Sequence, residues 1–261
     1  MQVINIDEMI EKIDGIKKTI DAENHVLAPQ HSGGKGSFRW LVVGATGKGK
    51  TNVVISALTQ AHIKFDHLYL YVKDPNQSKY IYLQKWLNEL ERDIEEETNE
   101  KVSIYTVITE VEDILSINDI PSDRINVAIF DDLLLSKNQK LIGEYFIVGR
   151  HKNMSCIYNT QDYHLTPKII REQCNYFAIF EPNSQSDLMQ LCKAQSMTCD
   201  YKTFKEIMSK ATDDGKSFLF IDRRTDEKEL KLRKNFDELW DYDNHKFYSI
   251  APLFNQDNYM S

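Results

Sequence analysis

The chain has no apolar run close to the roughly 18 residues needed to cross a bilayer, so no membrane-spanning helix is expected. Its opening residues, Met1-Gln2-Val3-Ile4-Asn5-Ile6-Asp7-Glu8, carry acids where a secretory leader carries bases, and no apolar block follows. Cysteine is scarce. Cys156, Cys174, Cys192 and Cys199 form no C-x-x-C pair, and no histidine pair has zinc-ligand spacing, so reduced thiols and no structural metal are expected. Positive charge is also short, with 32 Lys and Arg against 40 Asp and Glu and a net charge of −8. Proteins held on nucleic acid by bulk attraction are ordinarily basic. Any contact with nucleic acid here has to be local, at a loop or in the lumen of a ring. Internal repeats, low-complexity segments and a dedicated nuclease motif are absent as well.

What is present is 261 residues of ordinary globular composition, 41% hydrophobic and 28% charged. That length suits one large α/β domain with or without a small appendage. Residues 3–22 space Ile4, Ile6, Met9, Ile10, Ile13, Ile16 and Ile20 as a helix does. A glycine-containing polar stretch over residues 30–37 then reads as a connection. Strands are expected at 38–43, 67–72, 102–107, 126–130, 154–160 and 176–180, with a terminal pair at 217–221 and 230–233. Helices are expected after Asn52 and at 79–98, 137–149, 185–195 and 201–211, with another opening at Thr166-Pro167. The strands are apolar throughout, not alternating, which means a mostly parallel central sheet with helices on both faces. The organisation expected is an N-terminal helix and linker (1–37), a core (38–235) and a C-terminal tail (236–261). The acids near the end of the 79–98 helix are most simply a solvated helix end.

Gly44-Ala45-Thr46-Gly47-Lys48-Gly49-Lys50-Thr51 fits the phosphate-loop pattern G-x-x-x-x-G-K-S/T. Glycines let the backbone curl so that its N–H groups face phosphates, and the helix continuing through Asn52 adds its positive end. Lys50 can reach the β- and γ-phosphates of ATP, and the Thr51 hydroxyl can ligate Mg²⁺. Lys48 either touches phosphate or faces solvent. Such a match arises by chance in roughly one chain in a hundred of this length, and here a strand precedes it and a helix follows.

Asp131-Asp132 closes an apolar strand, where ligands bind in open α/β sheets. Asp131 is expected to hold Mg²⁺ through water, and Asp132 to orient and deprotonate the attacking water. A helix cap is the alternative reading of the pair. Gln161 ends the next strand, where an amide can contact the γ-phosphate or the water and report hydrolysis.

These elements, together with Gly149-Arg150-His151, Ile157-Tyr158-Asn159-Thr160-Gln161 and Pro167-Lys168-Ile169-Ile170-Arg171, resemble the FtsK/HerA superfamily of ring ATPases. More narrowly, the chain resembles the poxvirus-type genome-packaging ATPases, also found in other large DNA viruses, virophages and Polinton-like elements. The likeness covers about residues 38–182. It implies a RecA-like (ASCE-type) P-loop NTPase fold with an added catalytic-glutamate-type strand. It also implies a homo-oligomeric ring, a pentamer or hexamer, with ATP at each interface. Arg150 matches the position of an arginine that reaches a neighbour's ATP; closing a helix dipole is its other reading. Arg171 is the second candidate. Where the superfamily commonly has Asp-Glu, this chain has Asp131-Asp132, a pair that poxvirus-type members tolerate.

The resemblance implies an ATP-driven translocase that packages double-stranded DNA into a preformed capsid. Its partner would be a capsid vertex or portal protein, and it would work in the cytoplasm of the infected cell, in a viral factory or on the virion. A plasmid-transfer or other DNA-pumping ATPase is one alternative, and a non-hydrolysing ATP-binding assembly switch is another. Arg223, Arg224, Lys228, Lys231, Arg233 and Lys234 form the densest basic stretch, readable as a DNA contact or as a solvated hairpin. The aromatic residues from Trp240 to Tyr259 are expected to pack on their own domain or on a neighbour.

Overall fold

The computed structural model describes residues 37–60, 63–133, 138–182, 184–194, 199–225 and 228–249. The helix expected at 3–22 and most of its linker lie outside these residues, as does the end of the tail. One sheet organises the rest. Its strands are β1 (Arg39–Val43), β2 (His67–Val72), β3 (Tyr105–Ile108), β4 (Asn126–Asp131), β5 (Met154–Thr160), β6 (Tyr176–Ile179), β7 (Leu219–Asp222), β8 (Leu232–Lys234), β9 (Glu238–Asp241) and β10 (Lys246–Ser249). Their spatial order is β10-β9-β8-β7-β6-β1-β5-β4-β2-β3. The run from β6 to β3 is parallel, and the pairs from β6–β7 to β9–β10 are antiparallel. β5 lies between β1 and β4, so the phosphate-loop strand and the acidic strand are separated by the strand leading to Gln161.

The apolar strands are explained by burial on both faces. Successive residues point to opposite sides of a strand, and the two hydrophobic clusters divide them accordingly. Leu41, Tyr71, Ala128, Phe130, Cys156, Tyr158 and Phe177 face one cluster; Trp40, Val42, Leu70, Val127, Ile129, Ile157 and Ala178 face the other. Two helices, α1 (Lys50–Thr59) and α2 (Ser78–Thr98), cover the second face through Val54, Ile55, Leu58, Leu83 and Leu87. The first face is covered by α3 (Gln139–Val148), α4 (Lys168–Gln173), α5 (Gln185–Ala194) and α6 (Tyr201–Ala211). The buried stripe of α2 (Tyr80, Leu83, Leu87, Leu90, Ile94) steps by three and four residues, as one helix face requires. Asn99, in the left-handed conformation (φ 56°), ends that helix.

Three expectations change. The strand expected from 102 begins at Tyr105, because the backbone before it is held by side chains: Val102 N–H donates to Glu95 Oε1 (3.0 Å) and Ile104 N–H to Glu91 Oε1 (2.8 Å). Part of the acid run of α2 is therefore a clasp and not a solvated helix end. The segment expected as a strand from 230 starts as a short helix, α7 (Lys228–Lys231), before β8. Nor are β7 and β8 terminal. The sheet continues past residue 235 through β9 and β10, with Trp240 buried between Lys210, His245 and Phe247.

The basic stretch is used internally. Arg223 sits over Phe177, Arg224 over Tyr176 and Lys228 over Tyr242; Arg233 pairs with Asp222 (3.6 Å) and Lys234 with Asp213 (2.7 Å). Cation–π contact and ion pairing within the chain account for five of its six bases. The four cysteines are free thiols, and among the described residues no helix is long and apolar enough to cross a membrane.

His67 opens β2 with both ring nitrogens engaged, Nε2 to Thr106 Oγ1 (2.9 Å) and Nδ1 to Ser103 O (3.2 Å). Burial first, and the nearby Arg124 charge second, push its pKa from 6.5 down to about 4. In the unfolded chain the imidazole protonates more readily. Between these two values the unfolded state binds more protons, so stability falls as pH drops through the window. Urea denaturation should show wild type losing about 2 kcal/mol more than His67→Gln between about pH 7 and about pH 5. Equal losses would mean that His67 does not carry the effect.

Candidate active site

The loop after β1 is built from its glycines. Gly47 (φ 83°) and Gly49 (φ 107°) hold left-handed backbone that side chains rarely adopt, and Gly49 caps α1. Gly44 is needed for space. A Cβ there would meet Phe180 Cβ at 2.8 Å, because the end of β6 presses against the start of the loop. Gly44 N–H donates to Thr160 O (3.2 Å), which ties the loop to the end of β5. Thr46 and Gly47 are exposed at the tip beside half-buried Ala45, and Asn52 is exposed in the first turn of α1. The loop thus curls over the positive end of a ten-residue helix, an arrangement that attracts phosphate.

Lys50 begins α1, and its ammonium donates to Gly44 O (2.6 Å) and Ala45 O (3.1 Å). Burial lowers its pKa, while Asp131 and Asp132 oppose that fall. Lys48 leaves the cradle to pair with Glu181 (2.9 Å), just beyond β6. Exposed pairs of this kind contribute about 0–1 kcal/mol.

Asp131 ends β4 on the side of the sheet covered by α1 and α2. Its Oδ2 accepts from Thr51 Oγ1 (3.3 Å) and from the Tyr80 hydroxyl at the start of α2. Burial raises its pKa; Tyr80, Asn159 and Lys50 oppose that rise. Asn159 is the register partner of Asp131 on β5 and is 1% exposed. Its carboxamide lies close enough to favour the charged carboxylate, yet neither of its polar atoms makes a hydrogen bond of ordinary geometry with a protein group. Asp132 projects into solvent from left-handed backbone (φ 56°), a strained conformation for a non-glycine residue. Its Oδ1 accepts from Gln161 Nε2 (3.3 Å).

The donor set fits Mg²⁺. Hard oxygens from one hydroxyl and one carboxylate converge, and magnesium is ordinarily held by one or two carboxylates plus substrate phosphates. The described residues contain no cluster of three or more His, Cys, Asp or Glu suited to a metal.

The arginines stand apart. Arg150 lies in a 3-10 turn (Gly149–Lys152) before β5, and Thr160, beside the loop, is at the far end of that strand. Six strand rises separate the two ends by about 20 Å. Arg150 is exposed and does not approach this chain's own loop. Arg171 is engaged locally, with Nε donating to Thr166 O (2.9 Å) and its guanidinium over the Tyr163 ring. Lys50, Thr51, Asp131, Asp132 and Gln161 are therefore brought together, while Arg150 and Arg171 are not.

The Poxvirus A32 protein family matches this chain over residues 30–230. The chain belongs to that family. Among its relatives are the DNA packaging protein OPG160 of Variola virus and that of Vaccinia virus (strain Copenhagen). Each is 30% identical over 147 residues, covering 55% of this chain and 53% of the relative. The chain thus spans about half the length of the curated relatives it matches. Among solved structures, the genome packaging NTPase B204 from Sulfolobus turreted icosahedral virus 2 in complex with ATP-gammaS is similar at TM-score 0.48 and 16% identity, over 71% of this chain and 92% of that one. In this family member, Tyr80 and Phe180 shape the site without belonging to a sequence motif, and Asn159 does so from within the 157–161 motif, where the sequence assigns it no role. Tyr80 and Phe180 read as ordinary core, and Asn159 is visible only as a polar residue inside an apolar strand.

The contact at Gly44 is directly testable. Gly44→Ala should cost about 1–3 kcal/mol in urea denaturation. Combined with Phe180→Gly, which removes the Cβ that the new methyl would meet, it should show a coupling of about 1 kcal/mol. Strict additivity would place the strain elsewhere.

Proposed function

We propose that this chain is the ATP-hydrolysing subunit of a motor that packages double-stranded DNA into a preformed viral capsid. The observation that carries the reading is the convergence of Lys50, Thr51, Asp131, Asp132 and Gln161 at one sheet edge, in a chain of the Poxvirus A32 protein family. Relatives in that family are named DNA packaging proteins.

In this reading the loop N–H groups and Lys50 bind the β- and γ-phosphates. Thr51 and Asp131 would hold Mg²⁺, Thr51 through its hydroxyl and Asp131 through water. Bound magnesium supplies neutralisation of charge on the phosphate oxygens. Asp132 orients the attacking water and accepts its proton. Gln161, already donating to Asp132, links that carboxylate to the end of β5 and so to the body of the sheet. Arg150 lies too far from its own loop to serve it, which supports a role on the ATP of a neighbouring subunit in a homo-oligomeric ring. A capsid vertex or portal protein would be the docking partner, and the infected cell's cytoplasm, its viral factory or the virion the place of work.

Steady-state ATP hydrolysis with and without linear duplex DNA is the direct test. Turnover should rise with DNA, and the stimulated part should fall steeply with salt. Lys50→Ala and Asp132→Asn should each lower it by about 100-fold or more, with nucleotide binding retained in Asp132→Asn. Mixing Arg150→Ala with wild type should depress activity below the average of the two. DNA-independent turnover in assembled rings would sink the packaging reading, and bound ATP without turnover in those rings would favour an assembly switch.

A further inference from the structure

We infer that Tyr80 is a positioning residue for the metal carboxylate: its hydroxyl fixes Asp131 in the orientation that faces Thr51. The inference rests on the reading of Thr51 and Asp131 as the residues that hold Mg²⁺. Tyr80 stands in the first turn of α2, is 2% exposed, and packs in the same cluster as Leu83 and Leu87. Packing alone would be served equally by a phenylalanine. The hydroxyl is instead directed at Asp131 Oδ2, the same oxygen that accepts from Thr51 Oγ1.

The geometry is that of two hydroxyls converging on one carboxylate oxygen. Asp131 ends β4 with its Oδ2 held by two hydroxyls, one from each helix covering that face of the sheet. Asn159, across the β4–β5 register, supports the same carboxylate from the neighbouring strand. Because Tyr80 belongs to α2 and Thr51 to α1, this contact also joins the two helices over the sheet face at the site itself. Partners that orient a metal-bound carboxylate typically matter 10- to 100-fold in metal affinity, without touching the metal.

The test is the Mg²⁺ dependence of nucleotide binding by the full chain, read with a fluorescent ATP analogue and no turnover. Tyr80→Phe keeps the ring and removes the hydroxyl. It should raise the Mg²⁺ concentration for half-maximal binding about 10-fold while leaving the affinity measured in chelator unchanged. In an Asp131→Asn background the same substitution should add nothing further, a result that a general packing defect would not give. An unchanged half-saturation overturns the inference. So does a lowered one, which would mean that the hydroxyl competes with the metal. An additional loss in the Asp131→Asn background overturns it too. Wild type that binds the analogue without any Mg²⁺ dependence overturns the reading of Thr51 and Asp131 itself, so failure of the site and failure of this inference are distinguishable.

Discussion

A carboxylate half drawn out of water at the end of β4 is the point on which the surrounding polar groups converge. An isolated buried charge is costly, and proteins tolerate one only when hydrogen bonds and opposite charge surround it. Asp131 is answered from every adjacent element: Lys50 and Thr51 from the start of α1, Tyr80 from the start of α2, and Asn159 from β5. The same arrangement suits a divalent cation bound with phosphates, because it concentrates oxygen donors and leaves the charge balance to be completed by the ligand. Lys50 responds to the same field, its ammonium favoured by both acids against the cost of burial.

The sheet makes this convergence possible. Parallel strands all end at one edge, and the loop, Asp131, Asp132 and Gln161 follow β1, β4 and β5, which are neighbours. Alternation along the strands then sorts the two acids. Asp131 points toward the helices of one face, whereas Asp132, released from the ladder into left-handed backbone, turns toward solvent and Gln161. Two chemically identical side chains in sequence thus enter different surroundings. The proposed division between metal holding and water activation rests on that difference.

The opposite edge of the sheet carries a different consequence. Arg150 sits there, a full strand length from the loop, so it does not reach the loop of its own chain. The bases nearest the C-terminal strands are committed to ion pairs and ring contacts at home, and a sequence-independent grip on DNA would have to come from other surfaces. That fits a chain with a net charge of −8, in which any attraction to a polyanion has to be local.

The phosphate loop, the two acids and the amide were legible in the sequence because each is a short-range pattern: a glycine spacing, a charge pair closing an apolar run, a polar residue ending a strand. The mostly parallel sheet was legible too, since unbroken apolar strands leave no solvent-facing side. Other features were decided by tertiary structure alone. Glu91 and Glu95 read as solvated acids until the chain folds back to give them Val102 and Ile104 N–H groups, and that return shortens the strand expected there. The last two strands were hidden in residues that alternate weakly, with Trp240 buried by contacts from β10 and Lys210. Tyr80 and Phe180 carry no motif, because their roles depend on which distant backbone or carboxylate they approach. Local sequence sets which groups can do chemistry. The packing of α1, α2 and β6 against the strand ends sets where those groups point, since contacts between residues far apart in the chain exist only once the sheet has formed.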